Sequence, residues 1–196
     1  MGRFLYGLKK NADYAVISLT GGQKDNAITR ECITEFLTDA PEEVKAYAKE
    51  LQEQIREEYT GSDENITIEV KENGVETAQV LHPTSQEKIV FYLQNVPFGI
   101  QKMSGTIKGL VESSSNIGIL RLDEDELFAS SSVRSSVDAA CSAISDKIEY
   151  LTEFLGGDYE VQGAYPAWEY RKDSPLRDKM VEIFEEMYGH LSLIHI

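Results

Sequence analysis

The stretch that decides the fold is GLVESSSNIGILRLDEDELFASSSVRSSV, residues 109–137. Strand-forming residues stand on both sides of the acidic run Asp123–Glu126, so the pattern predicts two antiparallel strands joined by an acidic turn. A calcium site at this turn is disfavoured, because the run lacks the spaced oxygen ligands and the glycine of a calcium-binding loop. The prediction is therefore a hairpin with a solvated turn.

The segments on either side supply the other predicted elements. Strands are expected at DYAVISLTG and AITRECITEFL (residues 13–21 and 27–37), and at NITIEVKEN and DYEVQGAYP (residues 65–73 and 158–166). An apolar face predicts a first helix around residues 4–8, and Pro41 opens a second helix that ends before Gly61. Further helices are expected at residues 86–93, 139–155 and 175–188.

This order of elements predicts the fold class. Strand pairs are each followed by a helix and a returning strand, which favours an antiparallel sheet covered by helices on one face. The strands and helices do not alternate regularly enough for a long parallel sheet. The expected fold is α+β and of ferredoxin-like type.

Composition excludes several classes of function. The 34 acidic residues against 19 basic ones give a formal charge of −15, which argues against nucleic acid or an anionic membrane as a partner. No apolar run approaches the length of a membrane span. Cys32 and Cys141 are isolated, as is typical of a reducing cytosol. The chain is therefore expected to be soluble and cytoplasmic.

The residues required for hydrolytic chemistry are not evident. The three histidines, His82, His190 and His195, do not stand at metal-ligand spacing, and no nucleophile motif is present. Gly21-Gly22 does not open a nucleotide loop, because a strand is expected to follow it. The sequence therefore offers no catalytic residue and no metal ligand.

Two residues are candidates for ligand binding, and each has a structural alternative. Arg134 stands late in a predicted strand, where its guanidinium could project over the end of the sheet. It could equally form a salt bridge with a nearby carboxylate or be simply exposed. Asn26 could bind a ligand or serve only as a turn residue.

Three motifs resemble a known family. They are GGQKDNAITRE at residues 21–31, PFGIQKMSGTIKGLVESSSNIGILRL with VRSSVD at residues 97–138, and GGDYEVQGAYPAWEYRKDSPLRDKMVEIFEEMYG at residues 156–189. Together they resemble the aminoacyl-histidine dipeptidases, also called cytosolic non-specific dipeptidases, which are zinc-dependent. Two departures are Thr29, where the superfamily usually has Pro, and Ala167, where related dipeptidases often have Gly. The first is expected to loosen the turn after Asn26.

The resemblance implies a division of the chain. Residues 1–160 would form most of a lid that also dimerises, residues 161–190 would return into a catalytic α/β domain, and residues 191–196 match a translated sequencing adapter. The chain is therefore expected to be a fragment. By motif position, Asn26 and Arg134 would bind the substrate's backbone or carboxylate.

The resemblance also implies a function. The complete enzyme would hydrolyse dipeptides, either Xaa-His or a broader range, with zinc or another divalent metal, and it would form a homodimer through the lid. Its metal ligands and general base would lie outside this chain, so the fragment alone is expected to be inactive. The alternative is a stand-alone ferredoxin-like module that binds a small ligand or a partner without catalysis.

Overall fold

A computed structural model of the chain describes residues 1–75, 77–123, 126–168, 171 and 173–190. The helices are α1 (Gly2–Leu8), α2 (Pro41–Glu58), α3 (Pro83–Asn95), α4 (Asp138–Phe154) and α5 (Pro175–Tyr188). The strands are β1 (Ala15–Gly21), β2 (Cys32–Leu37), β3 (Gly99–Met103), β4 (Val111–Leu122) and β5 (Leu127–Ser135). Helices and one antiparallel sheet confirm the predicted α+β class.

The sheet is organised around β4, its longest strand. β5 pairs with β4 along the hairpin, from Ser113↔Ser135 to Leu122↔Leu127. On the other edge of β4, β1 pairs near one end and β3 near the other, and β2 extends the sheet beyond β1. The hairpin predicted from residues 109–137 is therefore the centre of the fold.

One face of the sheet is covered by helices. Leu5 and Leu8 of α1, Val44 of α2 and Leu19 of β1 are buried in the larger core cluster. A second cluster joins α3 to α4 through Tyr92, Ile144 and Ile148. Each such side chain contributes about 1.5–3 kcal/mol when fully buried. The opposite face of the sheet carries the candidate site.

The burial of β4 alternates between these two faces. Ser113 and Ser115 are buried on the helix-covered side, whereas Ser114 and Asn116 lie on the open side. A β-bulge between Ile117 and Ile119 interrupts the pairing with β5. Bulges of this kind change the direction of a strand and often lie beside functional sites.

Several predicted strands differ from the structure. Residues 65–73 are not a strand of the sheet: Asn65 belongs to a turn, residues 66–73 have no regular secondary structure, and the N–H of Ile68 donates to Oε1 of Gln52 at 2.7 Å. Residues 158–166 are likewise not a strand, and residues 27–31 belong to a loop that precedes β2. β3 was not predicted, because four of its five residues are exposed and give no apolar alternation.

α5 is formed as predicted but stands apart from the core. The hydroxyl oxygen of Ser174 accepts a hydrogen bond from the N–H of Arg177, and Gly189 ends the helix with a φ of 70°. None of its residues is buried. Within the described part of the chain, no helix has the length and apolar character needed to cross a membrane.

Candidate substrate-binding site

The loop of residues 22–31 connects β1 to β2 and carries Asn26. Gly22 begins it with a φ of 72°, a conformation that favours glycine. The N–H of Asn26 donates to Oδ1 of Asp25 at 2.8 Å, and the N–H of Ala27 donates to the carbonyl of Lys24 at 3.3 Å. The Asn26 side chain is exposed, and its carboxamide forms no hydrogen bond with any residue that the structure describes.

This loop lies against β4. Nδ2 of Asn116 donates to the carbonyl of Ala27 at 2.7 Å, and the hydroxyl of Thr29 donates to the carbonyl of Ile117 at 2.7 Å. The expectation that Thr29 loosens the turn relative to Pro stays a prediction, while the hydroxyl of Thr29 attaches the loop to the sheet.

Arg134 lies on the same open face of the sheet. It is the residue before the last of β5 and pairs with Ser114, while Asn116 pairs with Ser132. Directly paired residues point to the same side, so the side chains of Arg134 and Asn116 share a face. They are diagonal neighbours, for which the Cα separation is about 7–8 Å. Since Asn116 contacts Ala27, the structure brings the two predicted binding residues to one surface.

The guanidinium of Arg134 has no partner among the residues that the structure describes. It is exposed and forms no ion pair or hydrogen bond within the described ranges. Among those residues, the structure therefore does not contain the salt bridge that the sequence left open as an alternative. Glu112 is also a diagonal neighbour on this face, since it stands two residues before Ser114. Its carboxylate instead binds Nζ of Lys102 at 2.7 Å.

This arrangement suits a small carboxylate ligand. A guanidinium presents a planar fork that binds a carboxylate through two parallel hydrogen bonds. The carboxamide of Asn26 can donate to a carbonyl oxygen, or to the oxyanion that develops from it. Both groups are exposed and uncommitted to neighbours within the described residues, so both are accessible to a ligand.

Among the described residues, neither an activated cysteine nor a metal centre accompanies these two residues. Cys32 follows the loop directly, but burial raises the pKa of its thiol and so disfavours the reactive thiolate. Among the described residues, no group of three or more His, Cys, Asp or Glu side chains could hold a metal ion. The described residues therefore do not fit a metal site.

Some predictions fall outside the described residues. Glu124 and Asp125 of the acidic turn and the adapter-like residues 191–196 belong to this group. The rest of the turn is closed by the N–H of Asp123, which donates to the carbonyl of Glu126 at 3.0 Å.

Sequence reasoning missed the contribution of β4 to this surface. Asn116 and Gly118 lie under the loop, and neither was a candidate. An isolated glycine within a strand often marks a bulge or the close approach of another backbone, so Gly118 was a usable signal. Asn116 gave none, because nothing local indicates which distant loop a strand residue contacts.

Two comparisons relate this chain to known proteins. It is 24% identical over 198 residues to the cytosol non-specific dipeptidase of Escherichia coli (strain K12), covering 98% of this chain and 41% of that protein. The crystal structure of the aminoacylhistidine dipeptidase from Vibrio alginolyticus matches with a TM-score of 0.82 and 26% identity, covering 97% of this chain and 39% of that one. No protein-family model matches.

These findings confirm the resemblance that the three motifs predict. The matched proteins are dipeptidases, and their match extends over nearly the whole chain. The chain spans about two fifths of the length of each relative.

Proposed function

We propose that this chain is the substrate-binding segment of a longer, cytoplasmic, metal-dependent dipeptidase. Arg134 binds the C-terminal carboxylate of a dipeptide, and Asn26 donates to the substrate's backbone carbonyl or to the oxyanion formed from it. The observation that carries the proposal is the exposed guanidinium of Arg134, which has no partner among the described residues and lies on the open face that also holds the Asn26 loop. Similarity to two dipeptidases supports the substrate class.

The proposal assigns different tasks to different parts of the longer enzyme. Residues 1–160 act as a lid that also forms the homodimer, and residues 161–190 lead into the catalytic domain. Zinc or another divalent metal, together with the general base, is held outside the described residues. When bound, such a metal polarises the scissile carbonyl and activates water. The residues of this chain bind and orient the dipeptide.

The chemistry of the site explains why an arginine and an asparagine would serve this task. A dipeptide has a carboxylate only one residue away from its scissile bond. A fixed guanidinium that holds the carboxylate therefore also fixes the position of the scissile carbonyl. A longer peptide would extend past the guanidinium, so the same contact favours dipeptides.

The test is hydrolysis of Gly-His and other Xaa-His dipeptides by the longer protein that contains this sequence. We expect turnover that depends on a divalent metal, whereas the 196-residue chain alone gives none. Binding of dipeptides without turnover by the longer protein would favour a ligand-binding module instead. Turnover by the 196-residue chain itself would contradict the assignment of the reaction centre to other segments.

A further inference from the structure

The loop that carries Asn26 is attached to β4 by two hydrogen bonds that come from opposite directions. Asn116 of β4 donates its side-chain N–H to the carbonyl of Ala27 in the loop, at 2.7 Å. Thr29 of the loop donates its hydroxyl to the carbonyl of Ile117 in β4, also at 2.7 Å. These bonds involve Ala27 and Thr29, which flank Ile28 just after Asn26 in the chain. They therefore restrain the part of the loop nearest to Asn26.

Close contact between backbones accompanies these bonds. A Cβ added to Gly22 would collide with the carbonyl of Gly118, and a Cβ added to Gly118 would collide with the carbonyls of Lys24 and Asp25. Only glycine permits this approach at either position. The contact falls at the β-bulge between Ile117 and Ile119, where the strand bends beneath the loop.

We propose that Asn116, Thr29, Gly22 and Gly118 form a latch that holds Asn26 in place beside Arg134. This inference rests on the proposed function, and it assigns positioning roles to residues that do not themselves contact the substrate. The loop is otherwise weakly held, because residues 23–28 are all exposed. Without the latch, Asn26 would have to be ordered each time a substrate bound, and that ordering costs conformational entropy.

The latch makes a specific prediction for kinetics in the longer enzyme. Thr29→Val and Asn116→Ala should each lower kcat/KM for an Xaa-His dipeptide by about three- to tenfold, the usual effect of losing one hydrogen bond. Asn116→Leu keeps the approximate shape but loses the N–H donor without adding a charge next to Arg134, so it should resemble Asn116→Ala. Thr29→Ser keeps the hydroxyl and should restore most of the activity.

Matched controls separate positioning from general destabilisation. Thr34→Val removes a similar bond, from the hydroxyl of Thr34 to the carbonyl of Ser18 at 3.0 Å between β2 and β1. Asn11→Ala removes a carboxamide bond to the carbonyl of Gly7 at 2.8 Å. Both controls should leave kcat/KM within about twofold of wild type, since neither residue touches the loop.

The deciding measurement combines the latch variants with Asn26→Ala. If the latch acts through Asn26, then Thr29→Val and Asn116→Ala should cause no further loss in the Asn26→Ala background. Hydrogen exchange at the amide of Ala27 should also be faster in both variants. A full additional loss in that background, or unchanged exchange at Ala27, would overturn the latch.

The same experiment distinguishes failure of the latch from failure of the proposed function. If Asn26→Ala lowers kcat/KM but the latch variants do not, the proposed function stands and the latch is overturned. If the latch variants accelerate exchange at Ala27 but Asn26→Ala retains full activity, the attachment of the loop is supported. The substrate role of Asn26 is then overturned.

Discussion

At the scale of single residues, the ability of the Arg134 guanidinium to bind a ligand depends on the charged residues around it. Glu112 lies on the same face of the sheet and is a diagonal neighbour of Arg134, near enough for long side chains to meet. Lys102 of β3 binds the carboxylate of Glu112 at 2.7 Å, and so keeps it away from the guanidinium. Among the described residues, the carboxylate of Glu112 is therefore bound by Lys102 and not by Arg134.

Because Lys102 binds Glu112, we expect replacement of Lys102 to change KM for dipeptides indirectly, through Arg134. In the longer enzyme, Lys102→Ala should raise KM for dipeptides by about two- to fivefold, because the released carboxylate of Glu112 competes for the exposed guanidinium of Arg134. The double variant Lys102→Ala/Glu112→Gln should restore the wild-type KM. Steady-state kinetics of both variants checks this, and a double variant as impaired as the single one would contradict it.

At the level of residues, the sequence identifies Asn26 and Arg134 by motif position, and their role in substrate binding stays a prediction. The structure places them on one surface. The roles of Lys102 and Asn116 could not be predicted, because each depends on which strands pair and in which register. Register is set by the packing of the whole sheet and is not encoded locally.

At the scale of elements, the segment at residues 65–73 has the apolar alternation of a strand but is not a strand of the sheet. Ile68 and Val70 pack against the core, as the alternation predicts. No strand pairs with this segment within the described ranges, and side chains of α2 satisfy its backbone instead. Gln52 accepts from the N–H of Ile68, and Nε of Arg56 donates to the carbonyl of Ile66 at 2.7 Å. The alternation of apolar residues indicates which side of a segment is buried. It does not indicate which groups form hydrogen bonds with the backbone of that segment.

Replacement of Gln52 tests this account of the segment. Gln52→Ala should lower the free energy of unfolding by about 1 kcal/mol, because it leaves the half-buried N–H of Ile68 without its acceptor. The matched control is Gln54→Ala, whose amide binds only the exposed Glu50, and it should change stability by less than about 0.5 kcal/mol. Urea unfolding measures both, and equal effects would argue against the role of Gln52.

At the scale of the whole molecule, large apolar side chains are exposed on α5, within residues 1–160, and at Val161, Tyr165 and Trp168. α5 exposes Leu176, Met180, Ile183 and Met187, and the core clusters contain no residue of this helix. Residues 1–160 also expose large apolar side chains; among them are Ile33, Phe91, Phe98, Ile100, Phe128, Tyr150 and Phe154. Where such side chains form a contiguous patch, the patch is typical of an interface.

In the proposed homodimer, residues 1–160 form the contact between the two copies, and α5 does not take part. The 196-residue chain should therefore sediment as a dimer, and Met180→Glu/Ile183→Glu should leave both the dimer and Tm unchanged. Ile144→Glu is the contrasting control, because it places a charge in the core between α3 and α4 and should prevent folding. Sedimentation of only monomers at all concentrations, or loss of the dimer in the α5 variant, would contradict this assignment.

We propose that Arg134 binds the carboxylate of a dipeptide. A substrate in which this carboxylate is replaced by an amide tests the proposed contact. For the longer enzyme, the measurement is kcat/KM for Gly-His and for its C-terminal amide, in wild type and in Arg134→Ala. Loss of a hydrogen bond to a charged group predicts that wild type prefers the free acid by roughly ten- to a hundred-fold. Arg134→Ala should remove this preference, and Arg134→Lys should restore only part of it, since a point charge lacks the fork. An acid-to-amide preference that is unchanged in Arg134→Ala would contradict the claim.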